Sequence, residues 1–162
     1  MDWLEKINFR SIPLFEGLSD LDLVRLVPNF EFMEFRRDET LCRQGDAGDA
    51  AFIVVEGKVS VSVSDSAGES RELAIIGPLE MVGEMSLLTG DPRSATVSAL
   101  TNVKVLRLRK ERFDDLIRKH ISFLHHLNRL LSKKIWNRNF ADSENAFPRP
   151  GESLPAAAVR GQ

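Results

Sequence analysis

The spacing of apolar residues changes along this chain, and each change marks an element. Over residues 2–10 the spacing is helical: Trp3, Leu4 and Ile7 share a face, and Asp2 is placed to cap a short amphipathic helix. Ile12-Pro13-Leu14-Phe15-Glu16-Gly17-Leu18 follows as a loop with apolar side chains turned inward. Ser19 then caps a second helix, with Asp20 and Asp22 in its first turn, Leu23, Leu26 and Val27 toward the core, and Pro28 near its end.

From Phe30 the period drops to two. Phe30, Phe32 and Glu34 alternate with Glu31, Met33 and Phe35, and Asp38 sits in the turn that follows. Thr40 to Gln44 reads as a short strand, and Gly45-Asp46-Ala47-Gly48-Asp49 as a turn. Ala51 to Val55 is a nearly continuous apolar strand. Val59-Ser60-Val61-Ser62-Val63-Ser64 alternates cleanly, as expected of a strand with one buried and one wet face. A hairpin loop at Asp65-Ser66-Ala67-Gly68 returns through Arg71 to Ile76. Thr96 to Leu100 and Val103 to Leu108 are the last strands. The alternation slips between Val105 and Leu106, which marks either a bulge or a strand covered on both faces.

Helical spacing returns at Lys110 to Lys119, with Phe113, Leu116 and Ile117 on one face. A longer helix runs from His120 to about Phe140. Its Ile121, Leu124, Asn128, Leu131 and Ile135 follow a coiled-coil seam, with Asn128 at a position that often fixes register. The seam predicts a homodimer through helix 121–135; the alternative is a monomeric helix covering its own domain. Helices at both ends of about eight short strands give an α+β domain built on an antiparallel β-roll. The expected divisions are a helical element at 1–29, a β-roll at 30–109, hinge and second helix at 110–140, and a Pro-rich tail or linker at 141–162.

Composition adds limits. The chain has 162 residues, 43% apolar and 28% charged, which is ordinary for a globular domain. A net charge of −2 gives no general attraction to nucleic acid or anionic membrane. The single cysteine, Cys42, rules out an internal disulfide, and a cytoplasmic location is expected. No secretory signal opens the chain, and no apolar run approaches a membrane span.

The densest chemistry lies in Val82 to Val97, V-G-E-M-S-L-L-T-G-D-P-R-S-A-T-V. A short helix from Glu84 would present backbone N–H groups at its first turn, and Gly83 would let a ligand approach the backbone. Arg93 is the only cation between Arg71 and Lys104, and a guanidinium offers a planar fork of donors to a phosphate. Ser94 adds a hydroxyl. Glu84 would repel a phosphate, so a sugar hydroxyl is its natural partner. These groups together describe a sugar-phosphate site. The plainer reading pairs Arg93 with Glu84 or Asp91 in a structural loop.

This segment resembles the phosphate-binding cassette of cyclic nucleotide-binding domains, the family of the bacterial catabolite activator, the kinase regulatory subunits and the cyclic-nucleotide-gated channels. The family pattern is F-G-E-[LM]-[AS]-L-L, a gap, then P-R-[STA]-A-[TS]-V. Val82 replaces the usual aromatic, Asp38 stands where the family has glycine, and Leu79-Glu80 replaces a frequent Gly-Asp. The resemblance covers about Ile12 to Ile135 and includes Ile12-Pro13-Leu14-Phe15. It implies a jelly-roll-like β-roll. It also implies that Arg93 and Ser94 take the cyclic phosphate and that Glu84 takes the ribose 2′-hydroxyl. Val82, Gly83, Met85, Ser86 and Ala95 would complete the site. The family's last helix supplies a lid over the base, for which Trp136, Arg129 and Lys133 are the candidates. The expected ligand is cAMP, with cGMP and cyclic dinucleotides left open, and no cofactor. The alternative is a structural or dimerisation module that keeps the fold without a ligand.

Other chemistries fit poorly. All three histidines, His120, His125 and His126, lie on the final helix, so a strand-borne metal site has no ligands. Cys42 is far in sequence from any histidine, and no nucleophile elbow or P-loop occurs, so no enzyme activity is expected. Direct DNA binding would need a further helical module, and only the Pro-rich segment after Phe140 is present.

Overall fold

A computed structural model describes the backbone of residues 3–141 and the side chains of residues 3–133. The chain separates into two units, residues 1–126 and 127–162. Asp2, assigned above as a cap, and the segment from 142 onward lie outside the described residues.

Eight strands form two antiparallel sheets in the first unit: β1 (Phe30–Phe35), β2 (Thr40–Cys42), β3 (Ala50–Glu56), β4 (Val59–Ser64), β5 (Ser70–Ile76), β6 (Met81–Val82), β7 (Thr96–Ala99) and β8 (Val103–Arg109). One sheet has the order β1-β8-β3-β6 and the other β2-β7-β4-β5. Consecutive strands alternate between the sheets, as in a jelly roll, except β4 and β5, which pair as a hairpin within the second sheet.

The period-two pattern sets which side chains meet. Phe52, Val54, Val103 and Val105 of the first sheet share a buried cluster with Val59, Val61, Val97 and Ala99 of the second. The opposite face of the first sheet carries Phe30, Phe32, Leu106 and Leu108, and the helical elements cover it. Phe15 meets Phe30 edge-on at 5.4 Å, and Trp3 stacks on Phe32 at 5.5 Å. Sheet one is therefore covered on both sides. That settles the slip at Val105 and Leu106: both residues are fully buried, one on each face, and β8 keeps unbroken register with β1. The bulge lies instead on β3, between Val54 and Glu56.

The N-terminal segment departs from the expected single helix. It forms two 3-10 turns, Leu4–Lys6 and Phe9–Ser11, with Ile7 extended between them. A continuous helix would hold Trp3 and Phe9 at fixed helical angles. The break lets Trp3 reach Phe32 while Phe9 reaches Phe15. Helix α1 (Asp20–Leu26) starts as predicted, with the Ser19 hydroxyl accepting the Asp22 N–H. Helix α2 (Glu84–Thr89) lies in the cassette; α3 (Lys110–Lys119) and α4 (Ile121–Ala141) follow β8. Of the α4 seam, Ile121 and Asn128 are exposed, Leu124 and Leu131 are half-buried, and the side chain of Ile135 lies outside the described residues; among the described side chains of α4 the buried ones are Phe123 and Leu127. Phe123 meets Phe113 of α3 edge-on at 6.3 Å. No described helix is long and apolar enough to cross a membrane.

Candidate functional site

The cassette is built where β6 ends. Val82 is buried and pairs with Phe52 of β3, which fixes the following residue at the edge of the first sheet. Gly83 turns the chain with φ of +79°, a conformation that L side chains rarely adopt, and α2 begins at once with Glu84. Glu84 and Ser86 face inward, whereas Met85 is about half exposed. The chain leaves α2 at Gly90, also at positive φ, and returns to Arg93 through Asp91-Pro92.

Arg93 is the centre of the arrangement and is only 4% exposed. Its backbone is clamped to the turn after β2: its N–H donates to Asp46 O at 2.7 Å, and its carbonyl accepts the Gly45 N–H at 2.8 Å. Its Nη1 donates to Gly83 O at 2.7 Å and Ser86 Oγ at 3.2 Å. Its Nη2 donates to Ala50 O and to Asp49 Oδ1 at 3.2 Å. Both Nη groups are thus taken up by the protein, while Nε is buried and makes no hydrogen bond. A fork presented edge-on to a ligand, as the sequence reading has it, is not what the structure holds. A buried guanidinium needs acceptors, and the carbonyls at the ends of β3 and β6 supply them.

Two glycines make this geometry possible by leaving space. A Cβ on Gly83 would stand 2.7 Å from Arg93 Nη1, and one on Gly48 would stand 2.5 Å from Ser86 Oγ. Ser94, beside Arg93, is exposed, and Ala95 packs at the margin of the inter-sheet core. Cys42 is half-buried close by. Burial pushes its thiol above the ordinary value, partly opposed by the Arg93 charge, so it is a poor nucleophile. No group of three His, Cys, Asp or Glu among the described residues could hold a metal.

The structure therefore joins Val82, Gly83, Glu84, Ser86, Arg93 and Ala95 around one corner, with Met85 and Ser94 at its surface. Arg129 and Lys133 lie exposed on α4, and the side chain of Trp136 lies outside the described residues. Sequence reasoning missed Asp49 and Ala50. They precede Arg93 by more than forty residues, and only the pairing of β3 with β6 brings them to it. The available signal was the second carboxylate of the Gly45–Asp49 turn, beside a glycine.

The profile of the cyclic nucleotide-binding domain matches residues 32–120, more than half of the chain and spanning the whole cassette. The chain belongs to the cyclic nucleotide-binding domain family. The domain is 34% identical over 123 residues to the cyclic AMP receptor protein of Thermus thermophilus, covering 76% of this chain and 57% of that one. It is 35% identical over 119 residues to the cAMP-dependent protein kinase regulatory subunit of Dictyostelium discoideum, covering 71% of this chain and 35% of the subunit. Among solved structures, the Thermus thermophilus catabolite activator protein superposes with a TM-score of 0.71 at 32% identity, over 80% of this chain and 61% of that one. The chain thus spans less than two thirds of each of these relatives' lengths, and its fold is the family's jelly-roll-like β-roll.

Proposed function

We propose that this domain is a cyclic nucleotide sensor that binds cAMP without transforming it and reports occupancy through its C-terminal helix. The observation that carries the reading is the desolvated guanidinium of Arg93, held in place on both Nη groups, with Nε–H unmatched. A buried donor without a partner is costly, and an anion beside it removes that cost. The cyclic phosphate is that anion in our reading, with Ser94 as a second donor and Glu84 as acceptor for the ribose hydroxyl. Gly83, Val82, Met85 and Ala95 surround the sugar phosphate, and Ser86 holds Arg93. Support for cAMP comes from the relatives: the Dictyostelium subunit is named for its dependence on cAMP, and the regulatory domain of Toxoplasma gondii PKA, solved with cAMP, superposes with a TM-score of 0.61 at 30% identity.

Ligand binding shifts the population of conformers of α3 and α4 only as far as it favours one of them. Trp136 is the proposed cap over the base, with Arg129 and Lys133 as polar contacts. The exposed seam residues Ile121 and Asn128 suit a second copy of the chain against α4, and a cytoplasmic setting follows from the proposed ligand. The test is calorimetry with cAMP and cGMP on the wild type and on Arg93→Ala. At a hundredfold its dissociation constant, bound cAMP adds about 2.7 kcal/mol of stability. Arg93→Ala removes that gain. Absence of heat from the wild type with either nucleotide refutes the reading and leaves the structural module.

A further inference from the structure

We infer that Asp49 sets the affinity of the cassette by competing with the ligand for Arg93. The inference rests on Arg93 being the phosphate-binding residue. Three neutral acceptors, Gly83 O, Ser86 Oγ and Ala50 O, already hold the guanidinium and fix its plane. The fourth partner, the Asp49 carboxylate, differs from them in charge and in setting. Its side chain is 86% exposed, against 3% for that of Arg93. A carboxylate so well solvated adds little orientation beyond what the three other acceptors enforce, and little stability.

Its effect on an incoming anion is larger. Asp49 Oδ1 occupies an Nη2 hydrogen that a phosphate oxygen could accept, and its negative charge faces the same guanidinium. The backbone of Asp49 is also held, because its carbonyl accepts the N–H of Lys110, the first residue of α3, at 2.8 Å. The carboxylate can therefore yield only by side-chain rotation. A phosphate must either displace it from Nη2 or share the cation with it. Either way the ligand binds less tightly than it would to Arg93 held by neutral groups alone.

Asp49→Asn isolates the charge, since the amide oxygen can still accept from Nη2. Calorimetric titration of the full chain with cAMP and cGMP, in low and in physiological salt, compares the wild type with Asp49→Asn and Asp49→Glu. Removing one charge about 4 Å from the bound phosphate tightens binding roughly fivefold. The gap narrows as salt rises, because the carboxylate is solvent-exposed. Asp49→Glu binds like the wild type. Thermal melts of the free proteins coincide for the wild type and Asp49→Asn. A wild type that binds, with Asp49→Asn binding equally or more weakly, overturns this inference and leaves the Arg93 reading in place. A marked fall in the melting temperature of Asp49→Asn overturns it too, since Asp49 would then be a structural support. Failure of both wild type and Asp49→Asn to bind removes the reading of Arg93 and this inference together.

Discussion

Substituting alanine at Gly83 and at Gly90 separates the two demands that the cassette makes of its glycines. Both residues have φ near +78°, at +79° and +77°, so alanine at either pays the left-handed strain of an L residue, about 1 kcal/mol. Their surroundings differ. Nothing lies within 4 Å of a Cβ on Gly90, whereas a Cβ on Gly83 would stand 2.7 Å from Arg93 Nη1 and 3.3 Å from Ala50 O. Gly83→Ala must therefore move a guanidinium whose Nη1 bonds to Gly83 O and Ser86 Oγ are among those compensating its burial. A hydrogen bond from a charged group contributes about 1.5–3 kcal/mol, so Gly83→Ala should cost about 2.5–4 kcal/mol in all. For a chain of this size each kcal/mol lowers the melting temperature by about 2–4 °C. Gly90→Ala should fall by about 2–4 °C and keep cAMP binding. Gly83→Ala should fall by about 5–16 °C and lose it. Differential scanning fluorimetry with and without cAMP reads both numbers. Equal losses for the two variants, or full ligand stabilisation in Gly83→Ala, would show that Arg93 does not depend on the open space at Gly83.

Three further substitutions test other parts of the fold. Leu79 has φ of +73° without being glycine, so Leu79→Gly should raise the melting temperature by about 2–4 °C through relief of strain; a decrease would show that the leucine side chain is worth more than its backbone costs. Gly57 turns β3 into β4 at φ of +89°, with a Cβ there only 2.3 Å from Asn102 O, so Gly57→Ala should destabilise by more than 2 kcal/mol in urea titrations, and a change under 1 kcal/mol would contradict the geometry. The hydrogen bond from Arg107 to Glu31, aided by the charges of Arg107 and Arg109, holds the Glu31 carboxyl below its ordinary value of 4.5. A depressed carboxylate stabilises the fold above its unfolded pKa, and that contribution fades as pH falls below 4.5 through the folded value. Melting curves of the wild type and Glu31→Gln should therefore differ at pH 7 and converge toward low pH; a constant offset would mean that the pair is held by packing rather than charge.

Much of this was legible in the residue pattern because it depends on near neighbours. The alternation of Val59 to Ser64 identifies β4 to the residue, and Ser19 with Asp22 marks the start of α1. Asp38 stands where the family has glycine, and the structure gives it φ of +70°, which aspartate tolerates better than most residues. Leu79 shows the limit of that argument. The missing glycine was visible, but not that leucine would accept the same left-handed geometry. The turn is held by Leu79 N–H donating to Val54 O and by Val54 N–H donating to Glu80 O, and these bonds belong to the sheet. The partners of Arg93 were hidden for a related reason. Two of them are backbone carbonyls, which carry no residue identity; Ser86, seven residues away on α2, meets Arg93 through the fold of the cassette, and Asp49 comes from forty-four residues away.

If Arg93 takes the phosphate as proposed, its burial lets the cassette be selective with a single cation. An exposed arginine would attract any anion weakly, because water screens it and must be stripped away when a ligand binds. Here that stripping has occurred during folding: the guanidinium is desolvated, and its Nη groups are met by fixed carbonyls and a hydroxyl that carry no net charge. The positive charge is therefore held in low-dielectric surroundings, with the solvated Asp49 carboxylate paired to it. A phosphate reaching it does not pay to dehydrate or orient the cation, which is how a preorganised site gains affinity without more contacts. The same arrangement limits what can bind. An anion must reach a buried donor whose plane is fixed from three sides, so shape decides among anions of equal charge. Lysine at this position would carry the same charge but could not bond to Gly83 O, Ala50 O and Ser86 Oγ in one plane, and the corner would lose both its geometry and its selectivity.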